Sequence, residues 1–155
     1  MESKSYQKVL KKQKHFTKLR KKLKRLSKKA NKSNRLKYAI ENQQKKRNLK
    51  QLHLQQEVAT RFTATWTMAR SFLNQTKWGE EVVDERARAN FTAINAAMVE
   101  VGFNKEDQED LKLNEEDLIK LKELVKVINY SSILFLKLCC PCHSYVLIFL
   151  ISNFF

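Results

Sequence analysis

Two glycines and one proline in 155 residues leave this chain with few backbone breakers. Long helices therefore run with few interruptions, and the scarcity of Gly and Asn-Gly turns argues against a sheet-rich fold. The three cysteines, Cys139, Cys140 and Cys142, are odd in number and confined to one cluster, so they imply no disulfide framework. With His143 they form a single dense group, which lacks the separated second pair of ligands that closes a tetrahedral zinc site. His15 and His53 stand alone and read as surface or packing residues. There is no Gly-rich phosphate loop, no His-Glu-x-x-His pair and no nucleophile-base-acid constellation, so neither an enzyme nor a cofactor is expected. No apolar run develops near the first residues, so no signal peptide is expected.

What the chain does have is positive charge, unevenly divided. Residues 1–50 carry 20 Lys and Arg against 2 acids, whereas residues 51–130 carry 10 against 14. Within the basic arm, Phe16, Leu19, Leu23, Leu26 and Ala30 recur at alternating spacings of three and four, and Val9 extends the pattern. This heptad seam predicts a helix over 6–30. Lys11, Lys12, Arg20, Lys21, Lys22, Lys24, Arg25, Lys28 and Lys29 fill most of the remaining positions. Two readings follow. In one, the helix packs its apolar stripe on the rest of the fold and its basic face is solvated. In the other, the cations bind nucleic acid or another anionic surface, releasing counterions, so that binding depends on salt. No base-reading signature accompanies them, so low sequence specificity is expected. Such Lys/Arg clusters also suit nuclear import, which places the chain in the nucleus.

A second helix is predicted over 34–48, with Leu36, Ala39 and Ile40 inward. Leu52, Leu54 and Val58 alternate with polar residues and predict a short strand near 52–58; without partner strands its edges would be unpaired, and collapse into the neighbouring helix is the alternative. Thr60 is placed to cap a helix over 61–76, lined by Phe62, Trp66, Ala69, Phe72 and Leu73. A further helix over 81–101 is lined by Ala87, Phe91, Ile94, Met98 and Val101 and stops at Gly102. Asn104 and Asn114 are spaced three residues before Asp107 and Asp117, in the manner of capping boxes. Leu118, Leu121, Val125 and Ile128 give a last amphipathic face. The acidic run Glu106–Asp110 reads as a solvated helix N-terminus or as a partner for the basic arm. The chain thus divides into a basic helical arm (1–50), a helical region (51–130) and a hydrophobic tail (131–155). The middle region alone, about 80 residues, would build only a marginal core.

The run Gln56-Glu57-Val58-Ala59-Thr60-Arg61-Phe62-Thr63-Ala64-Thr65-Trp66-Thr67-Met68-Ala69-Arg70-Ser71-Phe72-Leu73 resembles a block of the hAT-family transposases, BED zinc finger/Activator-like proteins, and their domesticated relatives. There an acidic residue precedes a Thr-Arg-Trp-Asn-Ser-Thr turn and a helix rich in Leu and Met. Glu57, Thr60, Arg61, Thr65 and Met68 occupy matching places. Lys32–Ile40 upstream, and 91–98 and 113–128 downstream, resemble the flanking helices, so the likeness covers roughly 16–130. It implies a mainly α chain: an elongated basic N-terminal helix plus a small helical array, with one short strand near 52–58, as part of an RNase H-like/insertion region rather than a complete domain. Nothing matches the contexts of the family's three metal-binding carboxylates, on which two-metal phosphoryl chemistry depends, nor its N-terminal zinc finger. The resemblance therefore implies a non-catalytic fragment. The family's Trp, linked to stacking on a flipped base, is Phe62 here, which with Arg61 would touch nucleic acid. Trp66 cannot be assumed to replace that Trp, and at i, i+4 the pair Phe62 and Trp66 also reads as neighbouring core residues.

The tail supplies an alternative. Ile133–Phe155 is apolar nearly throughout, but Lys137, Pro141, His143 and Ser144 interrupt a run that would need about 20 apolar residues to span a bilayer. The alternative is a small membrane-associated protein, anchored by 133–155 and steadied on anionic lipid by the basic helix.

Overall fold

The computed structural model describes residues 4–57, 64–77 and 81–137, with side chains from Phe16 to Asn129 within those ranges. Six helices follow in order: α1 (Lys4–Lys32), α2 (Asn34–Lys46), α3 (Ala64–Leu73), α4 (Asp84–Val101), α5 (Lys105–Leu111) and α6 (Glu115–Lys137). The mainly α expectation is met, and no strand occurs among the described residues.

Local chemistry explains the boundaries. Ser33 leaves helical geometry between α1 and α2, and its hydroxyl accepts from the Leu36 N–H, so one long basic stretch becomes two helices. Gly102 ends α4 at φ 81°, a left-handed conformation that glycine adopts without a Cβ penalty. Asn104 Oδ1 accepts from the Asp107 N–H at 2.8 Å. Asn114 and Asp117 cap reciprocally, each side chain accepting from the other's backbone N–H. α6 continues to Lys137, beyond the point at which the family resemblance ends.

The expected strand near 52–58 is replaced, over 51–57, by an irregular segment in which side chains pair with the backbone of Leu52, Leu54 and Gln55. Gln44 Oε1 accepts from the Leu52 N–H and its Nε2 donates to the Leu52 carbonyl. Asn31 donates to the Leu54 carbonyl, Ser71 Oγ accepts from the Gln55 N–H, and Asn74 donates to the Lys50 carbonyl. Helices α1, α2 and α3 thus supply what a neighbouring strand would have supplied. The apolar alternation of Leu52 and Leu54 is genuine, but with no second strand to pair with it does not become a ladder.

One hydrophobic core draws on every helix. Leu19, Leu23, Leu26 and Ala30 of α1 meet Leu36 and Ile40 of α2, Phe72 and Leu73 of α3, Ile94 and Met98 of α4, Leu111 of α5, and Leu118 and Leu121 of α6. Phe16 packs at the margin. The α1 stripe is therefore structural, and its burial gives the middle region a larger core than residues 51–130 could assemble alone. α2 packs most extensively on α4. α3 is short and buried on nearly all sides, its Ala64, Trp66, Met68, Ala69, Phe72 and Leu73 all enclosed.

Two fully buried amides inside this core are paired with each other. Asn90 and Gln44 are both 0% exposed. Gln44 Nε2 donates to Asn90 Oδ1 at 2.8 Å, and Asn90 Nδ2 donates to the Phe72 carbonyl at 2.7 Å. Asn95 grips Leu113 through both its N–H and its carbonyl, holding the α5–α6 connection on α4.

Candidate nucleic-acid interface

The basic residues of α1 divide into lines set by the helical repeat of about 100° per residue. The buried seam runs through Leu19, Leu23, Leu26 and Ala30. On one flank Arg20 and Lys24 converge on Glu57, with Arg20 Nη2 2.5 Å from Oε1 and Lys24 Nζ 2.7 Å from Oε2. The Thr65 hydroxyl also donates to Glu57 Oε1. The Glu57 side chain is 3% exposed, so this carboxylate is a buried counterion for two α1 cations. Burial, then the neighbouring Arg20 charge, push the Lys24 ammonium below its ordinary pKa.

On the other flank Lys22 Nζ lies 2.6 Å from Asp117 Oδ2, and Lys29 Nζ lies 2.7 Å from Asp107 Oδ2. Lys29 also stands 5.1 Å from the centroid of the Phe103 ring. Arg25 reaches Asp110 at 3.4 Å and Asp107 at 3.7 Å. Asp107 and Asp110 thus partner the basic arm, while Glu106 is exposed in the first turn of α5, so each of the two readings that the sequence allows holds for part of the acidic run.

Between the flanks, opposite the core, runs a third line. Lys18, Lys21, Arg25, Lys28 and Lys32 are exposed at spacings of three, four, three and four, within an arc of about 80°. Of these, Lys18, Lys21, Lys28 and Lys32 have no ion-pair partner among the described residues. Five cations over 14 residue steps span about 21 Å of helix at 1.5 Å per residue. The same spacing continues in the sequence at Lys14 and Lys11. Exposed Arg35 follows at the start of α2.

The residues singled out from sequence therefore fall into three groups. Lys21 and Lys28 lie on the free line, with Arg25 beside them. Arg20, Lys22, Lys24 and Lys29 are engaged by Glu57, Asp117 and Asp107. The side chains of Lys11 and Lys12, and all of Arg61 and Phe62, lie outside the described residues, as do the Thr60 cap, the cysteine cluster and residues 138–155. Lys18 and Lys32 are exposed cations that the Lys/Arg clusters do not single out; their signal is the apolar heptad itself, repeated in cations two positions on. Trp66 is 4% exposed, its Nε1 donates to Asn129 Oδ1 at 3.0 Å, and the Arg70 guanidinium sits 4.1 Å from its ring centroid. It is an interior residue. His53 is not isolated, since its Nδ1 lies 2.8 Å from Glu41 Oε1.

Among the described residues no group of three or more His, Cys, Asp or Glu side chains could hold a metal ion, and no helix is long and apolar enough to cross a membrane. Comparison with protein-family models, with characterised proteins and with solved structures gives no match.

Proposed function

We propose that this protein is a non-catalytic helical module that binds nucleic acid electrostatically along the outward line of α1, with low sequence specificity and in the nucleus. The observation that carries the reading is the row Lys18, Lys21, Lys28 and Lys32, exposed and unpaired while the flanking cations are neutralised within the fold. A protein that needed its basic arm only for internal ion pairs has no use for this row. A rigid line of cations backed by a packed core suits a phosphate backbone, where each contact releases condensed counterions. The resemblance of residues 57–73 to hAT transposases points to the same class of partner and frames the chain as a derivative of that type without its catalytic carboxylates.

An anionic lipid surface is the competing polyanion, with 133–155 as its anchor. An interfacial helix needs its apolar face for the bilayer. From Leu19 to Ala30 the apolar face of α1 is already spent on the core, which favours nucleic acid over lipid for this helix. Filter binding to unrelated duplexes tests the proposal. Affinity should fall steeply between about 50 and 200 mM salt and vary little with sequence. No binding at low salt, a flat salt response, or flotation with anionic vesicles in place of duplex binding would contradict it.

A further inference from the structure

We propose that the outward face of α2 is a stacking platform for single-stranded nucleic acid, with Tyr38 against a base and Arg35 and Lys45 on the flanking phosphates. The inference rests on the reading of the chain as a nucleic-acid binder and adds the strandedness of the ligand. Tyr38 is 63% exposed, although it belongs to a helix whose Leu36, Ala39 and Ile40 are buried. A lone exposed aromatic is ordinary; its company is what distinguishes Tyr38. Arg35, Tyr38, Asn42 and Lys45 recur at spacings of three, four and three, all exposed, on one arc of about 80° and over about 15 Å of helix. None of the four has a partner among the described residues.

Much of the remaining polar surface of α2 is engaged, Asn34, Lys37 and Lys46 excepted. Gln43 donates to Glu100 and accepts from Arg47, Gln44 serves Asn90 and Leu52, and Glu41 lies against His53. Glu41, the one acid of α2, is not on this face. The face therefore combines two cations, one ring and one amide, with no carboxylate among them. A ring on such a face can stack on a base only if the base is free of its duplex neighbours, and base–aromatic stacking is tolerant of sequence. The Asn42 amide offers two donors and an acceptor to a base edge or sugar one turn away. A duplex would meet the cations of α1 but give Tyr38 nothing to stack on.

Fluorescence anisotropy with a labelled single-stranded oligonucleotide and the matching duplex tests this. Tyr38→Ala should weaken single-strand binding by about fivefold to a hundredfold, with an unchanged salt slope and unchanged duplex affinity, while Tyr38→Phe stays near wild type. Arg35→Ala combined with Lys45→Ala should instead make the single-strand salt slope shallower by about 1.4. Single-strand binding by Tyr38→Ala equal to wild type, or an equal loss for both strandedness forms, would overturn the platform and leave the α1 interface standing. Wild-type binding to neither form would overturn both.

Discussion

Asn90 holds the interior together at the point where four segments meet. Its amide donates to the Phe72 and Ser71 carbonyls at the end of α3, and its oxygen accepts from Gln44, which in turn fastens Leu52. Asn90→Ala leaves the Gln44 amide and two buried carbonyls short of partners, and a buried polar group without a partner costs about 1–3 kcal/mol. We expect a loss of about 2–4 kcal/mol in chemical denaturation, and non-additivity with Gln44→Ala because the two side chains share one network. Wild-type stability for Asn90→Ala would show that water or repacking replaces the amide. Nothing in the sequence marks Asn90 or Gln44. Each is a polar residue on a helix, and what buries it is an element distant in the chain. The caps at Asn104 and Asn114 and the stop at Gly102 were legible, because the groups they satisfy lie within four residues.

At the scale of elements, α5 behaves as an internal polyanion. Asp107 and Asp110 hold Arg25 and Lys29 of α1, so on the proposed function a phosphate backbone would compete with α5 for those two cations. Asp107→Asn with Asp110→Asn should tighten duplex binding and steepen the salt slope by roughly 2, about 0.9 per released cation. The Asn104 cap bonds the backbone N–H of residue 107, which the substitution retains. A second pairing joins α4 to α6. The hydrogen bond from Arg88 holds the Glu115 carboxyl below its ordinary value of 4.5, and that from Lys122 holds Asp84 below 3.8. Carboxyls depressed in this way add stability above their unfolded values and lose it as pH falls through the folded ones. Below about pH 4 the thermal midpoint should therefore drop, and drop less in Arg88→Ala with Lys122→Ala. An identical acid response in that variant would remove these pairs from the account. The helices themselves were read correctly because their apolar periods are long and repeated, as in the seam from Leu19 to Ala30. The strand expected near 52–58 failed for a reason outside its own residues: alternation specifies a face, and pairing requires a second strand.

For the whole molecule, the division of charge along the sequence is not the division of charge in space. The surplus of the first 50 residues is partly cancelled by Glu57, Asp107, Asp110 and Asp117, residues that approach α1 only through folding. Density of Lys and Arg in the sequence therefore does not separate Arg20, Lys22, Lys24 and Lys29, which the fold pairs with acids, from Lys18 and Lys32, which have no ion-pair partner among the described residues. The measurement that bears most directly on the central claim is the salt dependence of duplex binding by wild type and by Lys18→Ala/Lys21→Ala/Lys28→Ala/Lys32→Ala. The four lysines without ion-pair partners predict a wild-type slope of log affinity against log salt of about −3 to −4, and a variant slope shallower by about 3 to 4. A variant that binds with the wild-type slope would show that the outward line of α1 is not the interface.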